Sequence, residues 1–182
     1  MSEAARTYMT VDEFLLWEDG TDTRYELIGG EPVAMAPPAD AHALLAGAIT
    51  VEIGRRLKPP CRVRVEAGIR IPHRNDMWFQ ADVAVGCGPA SGRPGTAEPR
   101  VVVEVLSPST ESDDRTVKLP LYRTVPSIRE ILLISARERR AELWHRTGGA
   151  WLVEEIDGAG TLTLASVDVS IPMEALYEGL PR

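Results

Sequence analysis

The chain has 182 residues, a hydrophobic fraction of 44% and a net charge of −7, the composition of an ordinary globular protein. No apolar run approaches the ~20 residues that a membrane-spanning helix needs, and the acidic balance disfavours a protein that binds polyanions over its whole surface. The length suits a single domain, which we expect to span residues 1–182.

The N-terminal stretch MSEAARTYMTVDEF lacks the basic and then apolar order of a secretory signal, so we expect a cytoplasmic protein that does not contact a membrane. Cys61 and Cys87 are the only two cysteines, and without a C-x-x-C motif a structural zinc site is not expected. In a reducing compartment both cysteines should be packed, reduced thiols.

The first predicted elements are a short helix and a hairpin within residues 10–36. Thr10 and Glu13 have the spacing of a capping box, which begins an amphipathic helix. Two short alternating runs then flank Gly29-Gly30 in RYELIGGEPVAM, and this pattern predicts two strands joined by a tight turn.

The predicted core, residues 40–135, begins with a long helix capped by Asp40, in which apolar residues recur every four positions. Three strand patterns follow, CRVRVEAGIRI, ADVAV and RVVVEVL, with a bend expected at Gly68. A second helix should run to about Arg123 and be kinked by Pro120, because proline removes a backbone hydrogen bond.

A buried strand at 130–135 completes the order helix, strand, strand, strand, helix, strand. Residues 140–182 read as a hairpin around Gly148-Gly149, a strand pair or extended segment in LTLASVDVSI, and a short helical end at MEALYEGL. Helices that alternate with strands in this way predict an α/β fold, a mixed sheet covered by helices.

Two acidic residues interrupt apolar strands, Asp82 in ADVAV and Glu104 in RVVVEVL. A lone buried carboxylate costs roughly several kcal/mol, and two neighbouring carboxylates repel each other. If the two strands are neighbours, a divalent ion resolves both problems, and Mg²⁺ typically takes one or two carboxylates with water and substrate phosphate. Lys118, on the following helix, can return to the same edge and stabilise developing negative charge.

Several other side chains have two interpretations each. Glu26, in the hairpin, is either a further metal-site carboxylate or a half-exposed strand acid. His42, in the first turn of its helix, either contacts a phosphate or packs. Trp144, Trp151 and Tyr122 read as packing residues.

The stretch 54–74 carries seven basic side chains against Glu66 alone, on a protein that is acidic as a whole. Arg62, Arg64 and Arg70 lie in it and are candidate contacts for a nucleic-acid backbone. The alternative is a solvated face that is balanced by carboxylates elsewhere in the fold.

These residues together resemble the PD-(D/E)XK nuclease superfamily and, more closely, the Uma-two family of restriction-endonuclease-like proteins. The resemblance covers residue 9 to about 146 and rests on RYELIGGEPVAMAPP, the His42 helix, ADVAVGC, VVVEVLSPST and DRTVKLPLY. It implies a restriction-endonuclease-like αβββαβ core. It also implies that Asp82, Glu104 and the backbone carbonyl of Val105 bind Mg²⁺ or Mn²⁺.

The match has two departures. The superfamily lysine stands two residues after the glutamate, where this chain has Leu106, and the family pattern moves the lysine to Lys118. Gln80 and Ala81 precede Asp82 in place of the proline-aspartate signature, although the aspartate itself is present.

The resemblance implies an endonuclease that hydrolyses DNA with metal-activated water, using Asp82, Glu104 and Lys118, with Glu26 and His42 as further members. RNA is the open alternative substrate. The rival hypothesis is an inactive binding or assembly module of the same fold, in a homodimer, and the acidic net charge favours it. A metal-free hydrolase has little support, because the sequence contains no G-x-S-x-G motif.

Overall fold

The computed structural model describes residues 8–89, 92, 95, 96, 98–108 and 110–180. The strands are β1 (Tyr25–Ile28), β2 (Glu31–Ala34), β3 (Arg62–Arg70), β4 (Trp78–Gly86), β5 (Pro99–Leu106), β6 (Glu130–Ser135), β7 (Arg140–Thr147), β8 (Ala150–Asp157), β9 (Thr161–Leu164) and β10 (Val169–Pro172). The helices are α1 (Val11–Phe14), α2 (Asp40–Gly54), α3 (Glu111–Asp113), α4 (Leu119–Tyr122) and α5 (Met173–Leu176). A π-helical turn, Asp114–Lys118, joins α3 to α4, and a 3₁₀ turn, Ala165–Val167, joins β9 to β10.

One mixed sheet of eight strands organises the fold, in the order β2-β1-β4-β5-β6-β7-β8, with β3 also paired to β4. The pair β5–β6 is parallel, and the other neighbouring pairs are antiparallel. Strands β9 and β10 form a separate pair. The element order confirms the predicted α/β class, its αβββαβ core and the hairpins on either side of that core.

The two faces of the sheet bury separate apolar clusters. On the first face, α2 contributes the predicted stripe of Leu45, Ile49 and Ile53, and each such residue contributes about 1.5–3 kcal/mol by its burial. On the second face, Tyr122 of α4 packs against strand residues that include Val102. The segment after β5 therefore lies across the second face.

Strand β4 pairs with β3 along one edge, and β1 and β5 share the other edge. The β3–β4 ladder runs from Arg70↔Trp78 to Arg62↔Gly86 and is interrupted at Glu66 and Asp82. On the other edge, β1 pairs at Trp78, and β5 pairs from residue 83 onward. The edge of β4 at residues 79–82 is thus left open between the ends of β1 and β5, and this gap positions the candidate site.

The bend predicted at Gly68 is wrong, because the irregularity lies at Glu66, which has a φ of 49°. The β3–β4 ladder has no pair at Glu66; on one side of it Val65 pairs with Val83 of the first-face cluster, and on the other Ala67 pairs with Ala81 of the second-face cluster. Gly68 is needed for packing instead, since a Cβ there would lie 2.1 Å from the Trp78 ring.

Two details of the helices also differ from expectation. The N-cap of α2 is Ala39, so Asp40 lies inside the first turn, where its charge is favourable to the helix dipole. The second predicted helix is three successive short turns, α3, the π-helical turn and α4. Pro120 stands in the first turn of α4, where the missing N–H is tolerated.

The expectation of reduced thiols is wrong, because Cys61 and Cys87 form a disulfide. The two residues continue the β3–β4 ladder directly beyond the pair Arg62↔Gly86, so the strands hold them side by side. A separation of 26 residues in the sequence gave no sign of this contact. Within the described residues, no helix is long and apolar enough to cross a membrane.

Candidate metal centre

A cleft of about 720 Å³ opens at the gap between β1 and β5. Its walls come from the β1–β2 hairpin, α2, the strands β3 to β5 and the π-helical turn. All five side chains that the sequence predicts for the site line it: Glu26, His42, Asp82, Glu104 and Lys118.

Asp82 and Glu104 lie on neighbouring strands, as the metal hypothesis requires. The register Val83↔Val103 places Asp82 opposite Glu104 one step further, where the β4–β5 ladder has ended. In place of a ladder bond, the Val105 N–H donates to Asp82 Oδ2 at 2.7 Å. The Asp82 side chain therefore completes the hydrogen bonding at the end of the strand pair as well as facing the cleft.

Lys118 is surrounded by carboxylates. Its Nζ lies 3.0 Å from Glu26 Oε1, 3.3 Å from Asp114 Oδ1 and 3.6 Å from Glu104 Oε1. Burial lowers the pKa of Lys118, but the charges of Glu104, Glu26 and Asp114 outweigh burial and raise the pKa above its ordinary value. Lys118 is therefore a permanent cation, suited to stabilise negative charge rather than to accept a proton.

Glu104 is 2% exposed, and its Oε1 accepts a hydrogen bond from the Tyr122 hydroxyl at 2.6 Å. Burial raises the pKa of Glu104 well above its usual range, with Asp82 and Asp114 adding to the effect and Lys118 and Tyr122 opposing it. Tyr122 packs in the second-face cluster, as predicted, and its hydroxyl also bonds the central carboxylate, which was not predicted.

Asp114 was missed by the sequence analysis as a site residue. It is 2% exposed, burial raises its pKa, and its Oδ1 contacts Lys118 without a hydrogen bond from the described residues. The available signal was the spacing of Asp114, Lys118 and Tyr122 in DRTVKLPLY, because residues four apart share one face of a helix.

Glu26 and His42 both line the cleft and contact other site residues or the open edge of β4. Glu26 Oε1 accepts a hydrogen bond from the Gln80 N–H at 2.8 Å, on the open edge of β4, so Glu26 is a buried acid and not a half-exposed one. His42 Nε2 lies 3.2 Å from Asp82 Oδ2. The hydrogen bond with Asp82 raises the pKa of His42, against the effect of burial.

The donors around the gap suit a hard divalent cation. Three carboxyl groups contact one ammonium group, so all three can be ionised together only if a further cation is bound. Among the described residues, Asp114 Oδ1 is also buried without a hydrogen bond. Among the described residues, no three His, Cys, Asp or Glu side chains form a ready-made metal site. Mg²⁺ needs fewer, since it is usually held by one or two carboxylates and keeps several waters.

The residues predicted to bind metal therefore fit the ion. The hydrogen bonds to Asp82 and Glu104 from the described residues use Oδ2 and Oε1, so each carboxylate has a second oxygen to offer. The N–H and C=O of one strand residue point the same way, so the Val105 carbonyl faces the same gap as its N–H. This set supplies only oxygen ligands.

The three predicted nucleic-acid contacts, Arg62, Arg64 and Arg70, are not among the cleft-lining residues. Arg70 pairs with Asp12 at 2.7 Å. Four more basic residues of the stretch 54–74 are also paired with carboxylates: Arg55 and Arg56 with Glu52, Lys58 with Asp168, and Arg74 with Asp76. Local carboxylates thus balance most of this stretch.

The raised pKa of Glu104 predicts that the metal-free protein loses stability as the pH rises. The folded state holds the Glu104 proton above pH 4.5, the ordinary value, where the unfolded chain has released it. The unfolding free energy should therefore fall from pH 4.5 up through the folded pKa. Urea unfolding in EDTA between about pH 5 and 8 measures the slope, and Glu104→Gln should make it shallower; an equal slope in both proteins contradicts the assignment.

The chain matches a family model, Uma2, described as "Putative restriction endonuclease", over residues 11–174. It is similar to two proteins of Synechocystis sp. (strain ATCC 27184 / PCC 6803 / Kazusa). "Uncharacterized protein slr1290" is 28% identical over 177 residues, covering 94% of this chain and 93% of that protein. "Uncharacterized protein sll1609" is 27% identical over 167 residues, covering 87% and 93%.

The fold is also similar to a crystal structure described as "a putative nuclease belonging to DUF820" from Anabaena variabilis ATCC 29413. The TM-score is 0.75 over 95% of this chain and 99% of that one, at 19% sequence identity. At that identity the likeness shows a shared fold. Because the family model spans nearly the whole described chain, the protein belongs to the Uma2 family of restriction-endonuclease-like proteins.

Proposed function

We propose that the protein is a Mg²⁺-dependent endonuclease that hydrolyses phosphodiester bonds of DNA. The observation that carries this proposal is the position of Lys118, a buried cation within 3.6 Å of Glu104 at the gap where Glu104 faces Asp82. The family description and the fold similarity support a nuclease.

Each residue has a role that follows from its surroundings. Asp82, Glu104 and the Val105 carbonyl would hold Mg²⁺ or Mn²⁺, and the ion would polarise a phosphoryl oxygen and lower the pKa of a bound water. Lys118, which stays charged, faces the negative charge that develops on the phosphoryl group. Glu26 and Asp114 fix the position of Lys118 Nζ through their contacts at 3.0 and 3.3 Å.

His42 lies on the α2 wall of the cleft and is held by Asp82. That contact favours the protonated imidazole, and His42 would contact a substrate phosphate as a hydrogen-bond donor. The remaining wall is largely apolar, with residues 33–39 of the hairpin and the segment after it.

Metal titration tests the proposal directly. We expect isothermal calorimetry to show saturable binding of Mg²⁺ or Mn²⁺ by the wild-type protein, and Asp82→Ala to weaken it by at least about tenfold, since a charged ligand is lost. Plasmid cleavage by the same preparations, with and without metal, follows. A wild-type protein that binds no divalent ion and leaves plasmid intact would refute the proposed function.

A further inference from the structure

A second group of basic side chains lies on the face of the sheet that carries Glu104. Arg100 of β5, Arg129 just before β6 and Arg146 of β7 occupy consecutive positions across three strands. The Arg129 N–H donates to the Arg100 carbonyl and the Arg146 N–H to the Arg129 carbonyl, both at 2.8 Å. Arg129 and Arg146 stand two residues from members of the second-face cluster, Ile131 and Trp144, so their side chains point to that face. Arg100 stands two residues before Val102, beside the register shift of the β4–β5 ladder.

Arg123, which directly follows α4, joins this row. Its guanidinium lies 5.4 Å from the centre of the Trp144 ring, and the Arg146 guanidinium lies 4.6 Å from that of Trp151. Arg146 also donates to the carbonyls of Arg123 and Val125, at 2.9 and 3.0 Å. We call Arg100, Arg123, Arg129 and Arg146 the basic face.

In the described part of the chain, the basic face is not ion-paired. Residues 115–129 contain four basic side chains and no acidic one, and residues 143–153 contain one arginine and no acidic side chain. Among the described residues, no carboxylate lies within ion-pair distance of any of the four arginines. The stretch 54–74 differs in this respect, because five of its basic residues are paired with carboxylates.

The basic face also lies within reach of the cleft. Arg100 precedes Glu104 by four residues on β5, a distance of ~13 Å along the strand. About four base-pair steps of a DNA duplex have the same length. Arg123 and Lys118 stand at the two ends of α4. A nucleic acid held at the cleft can therefore extend its backbone to these arginines.

We propose that the basic face binds the phosphodiester backbone of duplex DNA that enters the cleft. The inference rests on the proposed function for its substrate. Guanidinium groups match phosphate geometry, and uncompensated arginines on a protein of net charge −7 mark a local anion site rather than a general attraction. It replaces Arg70, which pairs with Asp12, as the principal backbone contact.

Binding of a labelled 30-base-pair duplex, measured by fluorescence anisotropy, tests this inference without cleavage if all proteins also carry Glu104→Gln. The test variant is Arg123→Gln with Arg129→Gln. Arg146 is left unchanged because its guanidinium donates to backbone carbonyls and its replacement would disturb the fold. The control is Arg55→Gln with Arg74→Gln, which removes the same charge from ion-paired positions. Thermal melting checks that both variants are folded.

Each phosphate contact that is lost should lower the slope of log affinity against log salt by about 0.9. We expect the test variant to lose roughly two such units, and roughly tenfold or more in affinity at 0.1 M salt, and the control to lose little. Equal binding by test and control variants overturns this inference. The nuclease proposal still holds in that case if the protein without Glu104→Gln cleaves plasmid. If the Glu104→Gln protein with all four arginines does not bind duplex at any salt concentration, the inference is also overturned, and an acidic protein becomes the partner chemistry to pursue.

Discussion

Glu104→Gln is expected to abolish Mg²⁺-dependent cleavage and to leave the metal-free protein folded, with an unchanged or higher melting temperature. The carboxylate is 2% exposed and lies beside Asp82 and near Asp114, so its charge is unfavourable without a bound metal ion, even with Lys118 nearby. A glutamine keeps the acceptor for the Tyr122 hydroxyl and removes the charge. The metal supplies roughly 4 kcal/mol or more of charge stabilisation, so its loss should slow cleavage at least about a thousandfold.

Plasmid cleavage and thermal melting in EDTA and in Mg²⁺ measure both halves of this result. Glu154→Gln, the same change at an exposed strand position, is the matched control and should leave both unchanged. The rise in melting temperature on adding Mg²⁺ should disappear in Glu104→Gln. If Glu104→Gln instead unfolds the protein, the carboxylate has a structural role and the metal hypothesis loses its central ligand.

Lys118→Met should lose both cleavage rate and stability, whereas Glu104→Gln loses only the rate. Methionine keeps the volume and removes the cation that Glu26, Glu104 and Asp114 share. Removal of one partner from a buried ion pair costs up to about 3–5 kcal/mol, and removal of a group that stabilises developing charge slows a reaction by about 10²–10³. Divalent metal should still bind and should recover part of the lost stability.

Melting with and without Mg²⁺, and single-turnover cleavage, check this prediction. The control is Lys58→Met, because Lys58 is an exposed lysine with one carboxylate partner, Asp168. Cleavage at the wild-type rate by Lys118→Met would remove Lys118 from the mechanism. A variant that is destabilised but is not stabilised further by Mg²⁺ would show that the acids around it do not bind the ion.

The sequence predicted the strands and the three central side chains because their signals are local. Asp82 and Glu104 stand out because charged residues are rare inside apolar strands. Lys118 is indicated by its place on the next helix, in the motif DRTVKLPLY. The structure brings all three to one gap, and the fold class and family are confirmed. The roles of these residues in metal binding remain predictions.

What the sequence missed depends on contacts between strands or on backbone geometry. The disulfide arises from the register of β3 and β4, which no single strand reveals. The left-handed φ of 49° occurs at Glu66, although glycine adopts such a φ more readily. Gly68 is a glycine for another reason, because the Trp78 ring packs where its Cβ would be. Asp114 was missed because an acidic residue near the start of a helix is common, and its relation to Lys118 and Tyr122 appears only in their four-residue spacing.

The open edge of β4 affects which site residues would be retained in a homologue that has lost its activity. Asp82 and Glu26 each accept a hydrogen bond from a backbone amide, that of Val105 or Gln80, and an orphaned buried amide costs about 1–3 kcal/mol. Selection for folding alone would keep an acceptor at both places long after hydrolysis ceased. Glu104 accepts a hydrogen bond from the Tyr122 hydroxyl instead, and a neutral glutamine can accept the same bond. Among homologues, a change at position 104 should therefore distinguish inactive proteins from active enzymes.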